Sequence, residues 1–219
     1  MTAPISVVII AGGKSRRLGI DKRKLLLANG RTLLEETVAR LTRLSDDIAV
    51  VAGFGEVLTS IQGARIYSDQ VDNAGPLAGL AVGLSVVRHE FALVVAVDLP
   101  FLDLTLLRWL IAQPRDYDLL LPRHRDGRCE PLQAIYRTTC LPVIQNRLRL
   151  GQLKLLDLTV ELRVHFVDEV DDVACGPDAF FNLNTPEDLQ RVRPLLACTH
   201  GLDWYNLCQL CYRPDQPGN

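Results

Sequence analysis

Short apolar runs alternate along the chain with longer segments whose apolar residues return every three or four positions. The runs at 5–10, 48–52, 92–97 and 117–121 are rich in Val, Ile and Leu and lack the in-and-out alternation of a sheet with one wet face. They read as parallel strands buried on both sides. Between them Leu33, Leu34, Val38, Leu41 and Leu44 fall on one helical stripe, and Leu77, Leu80, Ala81, Leu84 and Val87 on another. The first helix opens on Thr32-Leu33-Leu34-Glu35, a capping box in which each polar side chain satisfies a free amide of the first turn. The second opens at Pro76, whose missing amide proton would have gone unpaired there. Further strands are expected at 64–67, 131–136, 163–167 and 179–183, with a helix capped by Asp103 and a last one from Thr185-Pro186-Glu187-Asp188 to about residue 196. Strand and helix in alternation predict an α/β chain built on a single doubly wound, mostly parallel sheet.

The length of 219 residues suits one such domain, expected over 1–197. The stretch 198–219 differs in composition, with Trp204, Tyr205, Tyr212, two late prolines and three of the six cysteines, and reads as an appended tail. There Cys198, His200, Cys208 and Cys211 could close a tetrahedral zinc site or remain free thiols. A formal charge of −2 with interspersed Lys and Arg offers no uniformly basic surface for nucleic acid. The apolar runs are too short to cross a bilayer, and no basic segment precedes the first of them, so a cytoplasmic protein without membrane contact is expected. Cys129, Cys140 and Cys175 stand alone, as small packing residues would. The four histidines are scattered without a nucleophile partner and read as surface or structural groups.

The chemistry starts where the first strand ends. Ile10-Ala11-Gly12-Gly13-Lys14-Ser15-Arg16-Arg17-Leu18-Gly19-Ile20-Asp21-Lys22 runs from a buried strand through glycines into cations, with six basic residues between 14 and 24. Glycines let backbone amides approach phosphate oxygens, and the cations add charge, so a triphosphate is the natural ligand. Two familiar phosphate loops fail on spacing. The dinucleotide fingerprint needs Gly-x-Gly-x-x-Gly, whereas the glycines here are 12, 13 and 19, and a P-loop ending in Gly13-Lys14-Ser15 would need glycine where Val8 stands. Downstream, the apolar run 91–97 ends in Asp98-Leu99-Pro100. Ligand sites of open α/β sheets lie at the carboxyl ends of strands, and a carboxylate there suits magnesium shared with substrate phosphates. Asp103 is available as the helix cap, which frees Asp98 for that role.

These motifs resemble those of the molybdenum cofactor guanylyltransferases and related nucleotidyltransferases. The likeness covers the glycine loop, Ser68-Asp69, Gly75-Pro76-Leu77-Ala78-Gly79, Asp98-Leu99-Pro100, the segment 127–136 as an acceptor-side strand, and Asn182-Leu183-Asn184-Thr185-Pro186, or about residues 5–196. It implies a Rossmann-like nucleotidyltransferase fold that transfers GMP from GTP to the phosphate of molybdopterin, or its molybdenum-loaded form, and releases pyrophosphate. It also implies a nucleotide held by Ala11, Gly12, Gly13, Lys22, Asp69, Asp98, Asn182 and Asn184, magnesium on Asp98, and catalysis by Arg16, Lys22 and Asp98. Contact with cofactor-delivery or acceptor proteins would follow. Lys24 competes with Lys22, because the family spaces its next Gly-Lys or Gly-Arg eight residues on, while Arg31 lies nine from Lys22 and seven from Lys24. The family commonly has Asn after the second strand, near base and ribose, where this chain reads Ala52-Gly53-Phe54. A related cytidylyltransferase, acting on molybdopterin or another phosphorylated acceptor, therefore stays open, as does a nucleotide-binding regulatory domain without turnover.

Overall fold

The computed structural model describes residues 4–13, 18–173 and 175–196, without the side chains of residues 169 and 171. In chain order the strands are β1 (Ser6–Ile10), β2 (Ile48–Ala52), β3 (Arg65–Ser68), β4 (Phe91–Ala96), β5 (Leu119–Pro122), β6 (Gln133–Arg137) and β7 (Val164–Val167). The helices are α1 (Leu33–Leu41), α2 (Pro76–Val86), α3 (Leu104–Ile111), α4 (Leu141–Arg149) and α5 (Pro186–Val192). The strands join in one sheet in the order β3-β2-β1-β4-β6-β5-β7. Neighbours run parallel except at β6, which is antiparallel to both β4 and β5.

Every residue of β1, β2 and β4 is buried, so these strands are covered on both faces. On one face Val7 and Ile9 of β1 and Leu93 and Val95 of β4 pack with Leu34, Val38 and Leu41 of α1 and Leu106, Leu107 and Leu110 of α3. On the other, Val8, Ile10, Ala92 and Val94 meet Leu77, Leu80 and Leu84 of α2 and Ile144 of α4. This is the double winding the sequence predicts. The helix α2 lies unusually close to β1, since a Cβ added at Gly83 would stand 2.3 Å from Val8 Cγ1. A third cluster packs Leu189 and Val192 of α5 against Leu18, Ile20, Leu25 and Leu27, which fixes the segment after the glycine loop.

The caps form as read: Thr32 with Glu35, Asp103 over α3, and Thr185 with Asp188. The strand expected at 179–183 does not form. Phe181 donates its amide to the Asp178 carbonyl and Asn182 Nδ2 to the Phe180 carbonyl, so the segment turns on itself. Its one long-range backbone bond runs from the Leu183 amide to the Asp98 carbonyl at 2.9 Å. Ala179 is buried in the core beside α1 and α3, and Leu183 in the cluster with α5, while Phe180 and Phe181 are half-buried. The last helix is also shorter than expected, α5 giving way to a 3-10 turn at Arg193–Leu195. Cys129 and Cys140 are free thiols, Cys140 fully buried. Among the described residues no helix is long and apolar enough to cross a membrane. The tail with Cys198, His200, Cys208 and Cys211 lies outside the described residues.

At the amino ends of the strands a single buried carboxylate ties the sheet together. Asp47 accepts from Ser6 Oγ at 2.6 Å, the Arg88 amide at 2.7 Å, Arg88 Nε at 3.0 Å and Arg65 Nη2 at 2.6 Å. Burial alone would push its carboxyl up, but these donors outweigh burial and hold it well below the usual carboxylate range. Such a group contributes stability above its unfolded pKa of about 4, a contribution lost as the pH falls through the lower folded value. Asp47→Asn should therefore cost about 3 kcal/mol at neutral pH. Urea unfolding should find the gap to the parent narrowing below about pH 4; a gap that is constant with pH would count against this account.

Candidate active site

From β1 the chain passes through α1 to β2 on one side, while β4 lies on the other side of β1 and leads away from it. Loops that diverge in this way leave a crevice beyond the carboxyl ends of the two strands. A cavity of about 600 Å³ occupies it, walled by the glycine loop, the loops after β2, β3 and β4, and the start of α2.

One end of the cavity is charged. Asp21 caps the 3-10 turn Lys22–Lys24 by accepting from the Arg23 amide. The turn sends the Lys22 side chain inward, where Nζ donates to Asp98 Oδ2 at 2.7 Å, the Leu183 carbonyl at 3.0 Å and Asn184 Oδ1 at 3.1 Å. Three segments far apart in sequence are thus joined by one ammonium. The other oxygen of Asp98, Oδ1, is buried with no hydrogen-bond partner among the described residues. A desolvated carboxylate oxygen left open costs free energy unless a ligand or cation completes it.

Asp69 lies where β3 leaves the sheet, its amide donating to the Ala52 carbonyl at 2.9 Å and its Oδ1 accepting from the Val71 amide at 2.9 Å. Burial pushes its carboxyl up, the Val71 and Gln70 amides oppose that, and Asp72 adds to the rise. Beyond it α2 begins at Gly75, whose φ of +62° is costly for a residue with a side chain. Gly75, Pro76 and Gly79 bring the start of this helix against the cavity.

Gly12, Gly13, Lys22, Asp69, Asp98 and Asn184 all line the cavity, while Lys24, Ala11 and Asn182 do not. Ala11 is buried behind the loop, its carbonyl accepting from Arg23 at 3.1 Å, and the Asn182 amide is turned to Phe180. Arg16 lies outside the described residues. Just before the segment 127–136, His124 pairs with Glu130 at 3.1 Å and meets the Phe180 ring edge-on, a structural role.

Arg23 and Glu56 were not singled out by sequence. Arg23 grips Asp21 with Nε and Nη2 at 2.8 and 2.7 Å, and its Nη1 reaches both the Ala11 carbonyl and, at 2.5 Å, Glu56 Oε2. The same Glu56 oxygen accepts from the Gly53 amide at 2.8 Å. The glycine loop and the loop after β2 are thereby locked together, and so closely that a Cβ on Gly12 would stand 3.0 Å from Gly53 Cα. Arg23 is visible in the sequence only as one more cation, and its partner is 33 residues away.

The sequence of residues 7–163, which supplies most of the walls of this crevice, matches the family model of the MobA-like NTP transferase domain. The chain belongs to the MobA-like NTP transferase family. It is 35% identical over 188 residues to the "Probable molybdenum cofactor guanylyltransferase" of Pelotomaculum thermopropionicum, covering 85% of this chain and 90% of that one. With the molybdenum cofactor guanylyltransferase of Desulfosudis oleivorans it shares 32% over 197 residues, 85% of this chain and 93% of the other. Among solved structures, molybdopterin-guanine dinucleotide biosynthesis protein A from Archaeoglobus fulgidus superposes with a TM-score of 0.73 at 26% identity, over 85% and 96% of the two chains. As a MobA-like NTP transferase the protein is a nucleotidyltransferase, and its α/β sheet is that of the superfamily.

The lock between the two loops can be tested apart from catalysis. Arg23→Met strands the Asp21 and Glu56 carboxylates and should cost about 3 kcal/mol of stability. In a double-mutant cycle with Glu56→Gln the effects should be non-additive by at least about 1 kcal/mol. Simple additivity in denaturant titrations would show that the pair does not couple the loops.

Proposed function

We propose that this MobA-like NTP transferase moves GMP from GTP onto the phosphate of molybdopterin, or its molybdenum-loaded form, with release of pyrophosphate. The observation that carries the reading is the meeting of Lys22, Asp98 and Asn184 at one end of the cavity with Asp98 Oδ1 unpaired. The names of its relatives supply the guanylyl donor and the molybdenum cofactor as acceptor.

In this reading an oxygen of the acceptor phosphate attacks the α-phosphorus of GTP in line. The bond from that phosphorus to the β-phosphate bridging oxygen breaks, and pyrophosphate leaves. The acceptor is already anionic, so no strong general base is required. What the protein must supply is position and charge against phosphate oxygens as they crowd together. Lys22 gives a cation held in place by the Leu183 carbonyl and Asn184, while the amides of Gly12 and Gly13 give dipoles. Arg16 of the same loop is assigned a second cation.

The residues present fit magnesium. Among the described residues no three His, Cys, Asp or Glu side chains gather to hold a metal. Magnesium does not need such a cage: it takes one or two carboxylates and fills its octahedron with phosphates and water. Asp98, with its buried open oxygen, would hold it, and Asp69 is the second carboxylate on the same cavity. Bound there it would supply positive charge to the phosphates of the nucleotide.

Asp98→Asn keeps the shape of the side chain and removes its charge, and should lower turnover by about a hundredfold or more. Lys22→Met should do the same, whereas Lys24→Met should have little effect. Pyrophosphate release with molybdopterin, magnesium and each nucleoside triphosphate in turn checks all three. Parental turnover by Asp98→Asn would remove it from the mechanism, and product formed from CTP but not GTP would overturn the guanylyl assignment.

A further inference from the structure

One of the acceptors that hold Lys22 is not itself held by packing. The Leu183 carbonyl belongs to a fully buried residue, but Asn184, whose Oδ1 accepts from Nζ at 3.1 Å, is exposed. A residue in water keeps one side-chain direction only if its backbone is fixed by other means. Asp188, in the first turn of α5, provides them. Its Oδ2 accepts from the Asn184 amide and from the Thr185 amide, both at 2.8 Å, while its own amide donates to Thr185 Oγ1 at 3.3 Å. A capping box requires only the bonds to Thr185. The bond to Asn184 is additional, and it extends the hold of α5 one residue upstream to the ammonium's acceptor.

The helix is seated on the segment that carries Lys22. Leu189 and Val192 of α5 pack with Ile20 and Leu25, which flank the turn Lys22–Lys24. Donor and acceptor therefore share one frame, Lys22 through Ile20 and Leu25, Asn184 through Asp188. The Asp188 carboxyl reflects this placement: burial would raise it, but the Asn184 and Thr185 amides, the Thr185 hydroxyl and the charge of Lys22 hold it below its ordinary value.

We propose that Asp188 is a positioning residue for nucleotidyl transfer: through the Asn184 amide it aims Asn184 Oδ1 at Lys22 Nζ and so keeps the ammonium beside Asp98 instead of turned to solvent. The inference rests on the nucleotidyl-transfer reading above for its kinetic consequence, and on the geometry alone for its effect on Lys22. The role needs an acceptor oxygen at this place. Asparagine, whose amide oxygen can accept the same two bonds, should therefore serve where alanine cannot.

Acylation of the full chain by an amine-reactive ester, followed at Lys22 by peptide mass spectrometry, reads the placement of the ammonium without any turnover. In Asp188→Ala, Lys22 should be acylated several-fold faster than in the parent, and turnover of GTP with magnesium and molybdopterin should fall about tenfold. Asp188→Asn should restore both. Thr185→Ala, which removes the other half of the capping box, is the control: it should destabilise the chain as loss of a cap does, yet leave Lys22 acylated at the parental rate. Parental acylation of Lys22 in Asp188→Ala overturns the proposal. So does an Asp188→Asn as impaired as Asp188→Ala, which would assign the effect to charge, and so does fast acylation in Thr185→Ala, which would assign it to the helix cap. A parent that does not turn over GTP and molybdopterin would remove the underlying reaction while the acylation series still decides the role of Asp188, so the two can fail separately.

Discussion

Because β1 and β4 are buried on both faces, neither can carry a charged side chain until it leaves the sheet. Charge is consequently collected at the strand ends, and the two ends are treated differently. At the amino end Asp47 meets four donors and both of its oxygens are used. At the carboxyl end Asp98 meets one ammonium and keeps an oxygen buried and unpaired. The first arrangement is complete in itself. The second is left open by the described residues, on the side where the cavity lies.

The charge balance of the cavity points to what its ligand must bring. Asp69, Asp72, Asp98 and Glu56 line it, against Lys22 among the described cations of its lining. Glu56 is matched by Arg23 from behind, and Lys22 is shared with Asp98. A bare triphosphate would meet an acidic wall around Asp69 and Asp98. Accompanied by a divalent cation, the same triphosphate meets carboxylates that become ligands instead of repulsive neighbours. The rise in the Asp69 carboxyl, caused by burial and by Asp72, belongs to the cavity before such a cation arrives.

Much of this is legible in sequence, for reasons that differ from element to element. Strands β1, β2 and β4 show as unbroken apolar runs because both faces are buried, and the caps at Thr32, Asp103 and Thr185 show because they are local chemistry. Asp98 can be named because it ends a readable apolar run, whereas Lys22, Asp69 and Asn184 are named through motifs that resemble those of a known family. The helix α4 could not, since one of its core-facing positions is Arg147, buried and neutralised by Asp157 and Glu161, which disguises the apolar stripe. The segment 179–183 misleads in the opposite sense, its apolar residues packing into two side-chain clusters while its backbone turns on itself. Arg23 with Glu56 depends on loops brought together only by the order of strands in the sheet, and no spacing along the chain encodes that order.

The Arg23–Glu56 lock acquires its importance from where the two ends of a nucleotide would lie. A nucleotidyltransferase gains rate when binding of the remote part of its substrate is used to place the reacting phosphorus. For that, the loop that holds the base and the loop that holds the phosphates must keep a fixed separation. Glu56 takes the Gly53 amide on the base-side loop, Arg23 takes the Ala11 carbonyl on the phosphate-side loop, and the ion pair between them is short and mostly buried. Gly12 and Gly53, lacking side chains, let the two backbones touch, so no rotamer stands between the loops to let them slide. The lock thus fixes the separation of the glycine loop and the loop after β2, two of the walls between which the cavity opens.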